Sequence, residues 1–414
     1  MRLKKSAKAL VATVALAVLA SLSCTRHVPY PPSYREYAYV TNGGSNNVSV
    51  LDMQQFTPAA TIAVGSDPVA VVANPRRNEV YVANAGSNSV SVIDAERNKL
   101  MATIQVGGSP HSLDVAPDGT RAYVANSGSN SVSVLDLSAR RSVANIAIEN
   151  SPEMLRISPD GKLVVVSEKQ SDSVAVIDTQ KLALRSKDHV CAQPTDVVIA
   201  KDSSKAFVAC TGSGQVAVLE LFGSDEGHPA VSHQRRSVPK RNANKNAGDF
   251  GPDRVQAFLD VGSSPTQLVL KPDGGEIFVT NFGSDTISEI LPGTNEVGGS
   301  YAIGAGPVHA LVSADNSVLY VSNANSDTVA VYSIDDGKLV GSVHVGSRPG
   351  PMALSSNQNF LFVIDSAGAD VSVIRTAAKQ GAVLLTILPV GQQPNSIAVK
   401  AFLMPGHGSE SNPK

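Results

Sequence analysis

The chain has 414 residues, 42% of them hydrophobic, with 33 Gly, 24 Pro, no Trp and a formal net charge of −2. So small a net charge argues against a nucleic-acid or membrane-surface role driven by bulk charge. The apolar content suffices for a large core, packed from Val, Ala, Ile, Leu and Ser because aromatics are only 5%. A chain this long would ordinarily divide into two or three domains, but internal repetition overrides that expectation.

Arg2, Lys4, Lys5 and Lys8 form a positive segment, followed by apolar Ala9–Leu22, which is short for a bilayer span. The stretch ends in Ser21-Leu22-Ser23-Cys24, which resembles a bacterial lipobox with Ser21 in place of the usual Leu. That resemblance implies a signal peptide over residues 1–23, a lipidated Cys24 and a membrane-anchored envelope protein facing periplasm or exterior. An ordinary secretory signal is the alternative. Residues 24–36, with three prolines, read as a tether.

Beyond the tether the chain repeats one unit: Tyr39–Asp52 (YVTNGGSNNVSVLD), Tyr81–Asp94 (YVANAGSNSVSVID), Tyr123–Asp136 (YVANSGSNSVSVLD). Val, Ile and Tyr favour strands and the Gly-Ser-Asn centre favours a tight turn. Equivalent positions fall at Tyr39, Tyr81, Tyr123, Val165, Phe207, Phe278, Tyr320 and Phe362. They lie 42 residues apart, except that Phe207 to Phe278 is one period plus 29 residues. Before each pair comes Val-Gly-x-x-Pro, an alternating apolar run and a Pro-Asp-Gly-like turn, as in Val106–Pro110 and Pro117-Asp118-Gly119. Each period therefore holds four strands: A after the Pro, B at YVAN, C at VSVID, and D ending at Val-Gly. Four antiparallel strands in about 42 residues predict a β-propeller blade.

The first B strand, at Tyr39, has no A strand before it, and the last A strand, Asn395–Val399, has no B strand after it. These orphans must pair. The expected fold is all-β: a single propeller over residues 37–401, with eight four-stranded blades. The C-terminal strand A closes the ring in the N-terminal blade. Seven blades would require the repeat at Val165 or Phe362 to lie outside. Residues 402–414 read as a disordered tail.

Thr41-Asn42, Asn84, Asn126, Asn281 and Asn323 carry a repeat that resembles the YVTN-type β-propeller family of microbial surface-layer and envelope proteins. The resemblance covers about Tyr37–Ala401. It implies how blades are made more than what the protein does. Family members include envelope binding proteins, and related propellers include lactone hydrolases and haem d1-binding domains.

Departures from the repeat are the candidate functional positions. Cys191 stands where other units have the Gly of Val-Gly-x-x-Pro, and Cys210 where they have the Asn of YVAN. Both fall at one end of one blade, so a disulfide is expected in an oxidising compartment. Where that pair is intact, as in Gly107/Asn126, the Asn side chain is expected to bond the incoming Gly loop, with Gly allowing close approach. Glu149 and Glu168 occupy the same two positions in another blade, where they would repel unless one is protonated or a cation, such as a divalent metal, binds, or else both splay into solvent. The insertion, residues 223–254, is basic through Arg235, Arg236, Lys240, Arg241 and Lys245 and should emerge on the opposite face.

Strand A should bring His111, Glu153, Asp196 and His309, with Asp114 and Arg156 deeper and paired, to the channel mouth. These residues could act as acid/base groups, metal ligands or ligand contacts. No catalytic motif such as Gly-x-Ser-x-Gly, His-Glu-x-x-His or Cys-x-x-Cys-His is present. The expected protein is a monomeric, non-catalytic envelope lipoprotein that binds or scaffolds an envelope protein or glycan, with no cofactor. A lactonase-like hydrolase with a divalent cation, or a haem d1-type tetrapyrrole binder, are the alternatives.

Overall fold

The computed structural model describes residues 30–222, 251–376 and 381–404. The expected signal peptide, Cys24, the body of the basic insertion and the tail beyond residue 404 lie outside these residues. The chain forms two compact units, Glu36–Phe402 and a small one of Met1–Arg35 with Leu403–Lys414. In the small unit the Met404 amide donates to the Ser33 carbonyl, and Tyr30 stacks on Tyr34.

The larger unit is a ring of eight four-stranded antiparallel sheets. Blade 1 combines strand A, Pro394–Leu403, with B, Tyr34–Asn42, C, Asn47–Asp52, and D, Thr57–Ala63. The predicted closure by the two orphan strands is thus present, and Thr41 Oγ1 donates to Asn395 Oδ1 across it at 2.6 Å. Blades 2–8 follow in chain order, their A strands starting at Pro68, Pro110, Pro152, Pro194, Pro265, Pro307 and Pro349. The repeats at Val165 and Phe362 both lie within the ring, so the seven-blade alternative is excluded. Two boundaries differ from expectation: strand B of blade 1 already begins at Tyr34, and the last strand A runs on to Leu403.

The core lies in the seams between blades, because successive strand residues face opposite sides of a sheet. Val165, Val174 and Val176 of blade 4 pack on Val197, Val208 and Leu219 of blade 5. Phe362, Ile364 and Val373 of blade 8 pack on Ala38, Val40 and Leu51 of blade 1, sealing the ring. The repeated aromatic opening strand B is fully buried as Tyr39, Tyr81, Tyr123, Phe207, Phe278 and Phe362. Burying each such side chain contributes about 1.5–3 kcal/mol.

Polar ties reinforce the seams. Each B–C turn places one residue in the left-handed region, usually Asn or Asp, which tolerate it. Where it is Asn or Asp, its side chain reaches the loop before the next strand A. Asn46 Oδ1 accepts the Asp67 amide, Asn88 the Ser109 amide, Asn130 the Ser151 amide and Asp172 the Gln193 amide, at 2.8–2.9 Å. Asp285 and Asp327 repeat the bond to Gly306 and Arg348. This rim of linked loops is where the predicted site residues sit.

Candidate functional site

Strand A carries the predicted residues in order from the rim inward. The first position after each Pro faces the mouth, the second and fourth face the next blade and channel, and the third is core. His111 and Glu153 hold the first position in blades 3 and 4, and they do converge: His111 Nε2 lies 3.7 Å from Glu153 Oε1. Lys169, from the B–C turn of blade 4, approaches the same oxygen at 3.3 Å. The three form a partly exposed polar cluster at the mouth.

A second cluster lies deeper. Arg156 Nη2 is 3.7 Å from Asp196 Oδ1. Burial pushes the Asp196 carboxyl upward, and the Arg156 charge and the Leu268 amide pull it back. Burial likewise raises Asp114, opposed by Arg156 and by the Ile157 and Val115 amides. His309 is lowered to about 4 by burial and then by Arg156, so it is neutral near pH 7. Its Nδ1 has no hydrogen-bond partner among the described residues. Arg156 thus acts on Asp114 as expected through its charge, but its close ion pair is with Asp196, and Asp114 accepts the Ile157 amide at 3.1 Å.

The Asp196 side chain is committed to the fold along with those of equivalent residues in other blades. At the second position after the Pro, Ser396 accepts Val71 N, Ser112 accepts Leu155 N, Asp196 accepts Leu268 N and Gln267 accepts Ala310 N. Each bond runs from strand A of one blade to strand A of the next. Asp196 thus belongs to this inter-blade belt, and Asp114, at the fourth position, accepts the Ile157 amide of the next strand A in the same way.

The two departures from the repeat resolve differently. Cys191 and Cys210 form the expected disulfide, with Cα atoms 5.6 Å apart. Glu149 and Glu168 also converge, and the cation between them is Lys187. Its ammonium is paired with Glu149 and lies 3.6 Å from Glu168 Oε2. Glu168 is fully buried, which raises its pKa, and Ser171 Oγ donates to it at 2.9 Å. Among the described residues no group of three or more His, Cys, Asp or Glu could hold a metal ion.

The Asn–Gly reading needs correction in its partner. Asn126 Nδ2 donates to Ser131 and Ser133 on strand C, and Ser133 Oγ in turn accepts the Gly107 amide. Asn42, Asn84 and Asn281 also bond along strand C, because the side chains of the facing strand lie nearest. Only Asn323 reaches the incoming loop, at the Ile303 carbonyl. The close approach of the Gly loop is as expected.

Sequence reasoning missed the groove itself. An open cavity of ≈ 640 Å³ lies between blades 4 and 5, lined by Ser151, Glu153, Lys169, Gln170, Asp172, Ala192 and Gln193. Its far wall, Ala192-Gln193, directly follows disulfide-bonded Cys191. The B–C turn wall carries Lys169-Gln170 where other units have Ala85-Gly86 and Ser127-Gly128. That replacement of small residues by long polar ones was the available signal.

Comparison with known families gives a match to the YNCE-like β-propeller model over residues 8–234, more than half the chain. The chain belongs to the YNCE-like β-propeller family. Residues 300–399 of this YNCE-like propeller also match the model of the seven-bladed β-propeller lactonases. No curated protein sequence matches the chain. Among solved structures, dihydro-haem d1 dehydrogenase NirN in complex with DHE is 15% identical, with a TM-score of 0.69, covering 92% of this chain and 78% of that one. Apo AztD from Citrobacter koseri is 16% identical, with a TM-score of 0.65, covering 90% and 99%. A putative 6-phosphogluconolactonase from Bacteroides fragilis is 17% identical, with a TM-score of 0.58, also covering 90% and 99%. At such identities the likeness is one of fold alone.

Proposed function

We propose that this propeller is a non-catalytic binding module whose recognition surface is the groove between blades 4 and 5. One observation carries the proposal: the two blades that flank this groove both depart from the repeat at their mouth end. Blade 4 departs at Glu149, Glu168 and Lys169-Gln170, and blade 5 at Cys191 and Cys210. The disulfide holds one wall and the Glu153–Lys169 pair the other, so the groove is rigid and polar. Rigid placement of polar groups lowers the ordering cost of binding. With the lipobox-like Cys24, the ligand is an envelope protein segment or glycan, met by a propeller anchored to the membrane.

A photo-crosslinker at Gln193 in the full chain, expressed with its envelope, tests the proposal. An adduct with an envelope protein or glycan, lost in Lys169→Glu, is expected. Absence of any adduct from the groove, with adducts from a probe on blade 7, would overturn it. A lactonase-like hydrolase is the alternative favoured by the match over residues 300–399. Its mark would be lactone hydrolysis that depends on a divalent cation and disappears in Glu153→Gln. A visible absorption band in the purified protein would instead favour a tetrapyrrole ligand.

A further inference from the structure

We propose that Asp365 and Asp370 of blade 8 share a single proton, which acts as a pH-sensitive clasp between the B–C turn and the loop entering that blade.

Asp365 ends strand B, Phe360–Asp365, and lies directly opposite Asp370, which begins strand C, Asp370–Arg375. The equivalent pairs elsewhere are donor and acceptor. Asn42 Nδ2 donates to Asn47 at 2.7 Å, Asn84 to Ser89 at 3.2 Å, Asn126 to Ser131 at 3.3 Å and Asn281 to Thr286 at 3.2 Å. Two carboxylates cannot reproduce that bond unless one carries a proton. Asp365 is fully buried, and its Oδ1 and that of Asp370 are both without a donor.

The remaining oxygen connects the pair to the entering loop. Ser372 Oγ donates to Asp365 Oδ2 at 2.7 Å and accepts the Gly346 amide at 3.1 Å. Asp365 Oδ2 lies 2.5 Å from where a β-carbon on residue 346 would stand, so loop and carboxyl are in close packing. Among the described residues the turn's other side-chain tie to that loop is Ser366 Oγ, which donates to the Arg348 carbonyl at 2.9 Å. The turn's left-handed residue is Ala369, where six other turns place Asn or Asp on the next loop.

Among the described residues no cation is paired with either carboxylate. Opposite strand C stand Pro389 and Ile387, and the entering loop presents Gly346 and Ser347, all uncharged. Arg348, two residues along that loop, ties its amide to Asp327 of blade 7 and its carbonyl to Ser366. Leu361, Val363 and Ile374, on the same side of blade 8 as Asp365 and Asp370, pack on blade 7, whose face there is apolar through Val329, Val331 and Val343. Burial, together with the Asp370 charge, raises Asp365 to about 7.

The folded chain therefore keeps a proton that an unfolded carboxylate releases near pH 4. The stabilisation is complete below about pH 4 and is lost as pH rises to about 7. Above that, two negative charges face each other beneath the turn, and the turn separates from the loop.

Thermal unfolding of the mature chain from pH 4 to 9, beside Asp365→Asn and Asp370→Ser, tests this. Both substitutions install a residue that the repeat uses at that position. The wild-type melting temperature relative to either variant should fall between pH 4 and 7 and level off above. At pH 8 the variants should melt higher by on the order of 2–4 °C. Exchange of the Ser366 and Ala367 amides, which bond the loop carbonyls of Arg348 and Ser347, should accelerate above pH 7 only in the wild type, beyond the intrinsic pH effect. Parallel wild-type and variant curves would overturn the proposal. So would stabilisation of the wild type by Ca²⁺ or Mg²⁺ at pH 8 that a chelator reverses, since a cation would then bridge the pair.

Discussion

Asp196 of blade 5 accepts the Leu268 amide of blade 6 at 2.9 Å, while its other oxygen faces Arg156 of blade 4 at 3.7 Å. One carboxylate thus ties three consecutive blades at the channel. Its position in the sequence reads as a candidate ligand contact at the channel mouth, and its surroundings make it a structural clasp.

Replacing Asp196 should therefore show in stability before it shows in binding. Asp196→Ala leaves the Leu268 amide without an acceptor and Arg156 without its partner, and should cost about 1–3 kcal/mol. Asp196→Asn keeps an acceptor and should cost less. Denaturant unfolding of both variants checks this. An Asp196→Ala protein as stable as the wild type would remove Asp196 from the belt.

Lys187 supplies the buried counter-charge for Glu168. Lys187→Met strands that carboxylate, and breaking a buried pair this way costs about 3–5 kcal/mol. Burial already raises the Glu168 pKa, and loss of the ammonium raises it further. A raised folded pKa means that stability is recovered as pH falls and lost as pH rises through it. The deficit of Lys187→Met against the wild type should thus be largest at neutral pH and shrink on acidification. Unfolding curves at pH 5 and 7.5 measure it, and an equal deficit at both would show that Glu168 carries no strain.

The Cys191–Cys210 bond closes a loop with a sequence separation of 19, and cross-linking a loop of that length contributes about 3 kcal/mol. Cys191→Ser with Cys210→Ser should lower stability by roughly that amount. It should also loosen Ala192-Gln193 and so weaken whatever the groove binds. Peptide mapping without reductant checks the bond directly, and the unfolding midpoint of the double variant checks its worth. A variant that loses stability but keeps binding would separate the disulfide from the groove.

The fold was legible because it is written eight times. A 42-residue period, Pro at the start of each strand A and two orphan strands leave one closed arrangement. The partners of polar side chains were much less legible. Asn126 was expected to bond the Gly107 loop and instead bonds Ser131 and Ser133, because facing strand C lies nearer than the loop. Asp114 was expected to pair with Arg156, but the nearest donor to its Oδ2 is a backbone amide of blade 4. Such choices depend on distances of an ångström between blades, which spacing in the chain does not encode. The groove escaped notice for a related reason: Lys169-Gln170 and Ala192-Gln193 are separate loops that become opposing walls only when two blades pack.

The close approach of the Gly loops is the part of that reasoning most open to direct test. Gly107 has no left-handed backbone to explain it. A β-carbon there would lie 2.6 Å from Asn126 Nδ2 and closer still to Ser129 Oγ, both on the neighbouring hairpin. Neither can withdraw freely, since Asn126 is bonded to strand C and Ser129 holds the Gly108 amide. Gly107→Ala should therefore destabilise by about 1–3 kcal/mol, as overpacking does. Gly293→Ala, where nothing lies within 4 Å of the added carbon, is the control and should stay within about 0.5 kcal/mol of the wild type. Urea unfolding of the two variants side by side decides it. If both behave alike, the glycine serves the turn by backbone freedom and not by making room for its neighbours.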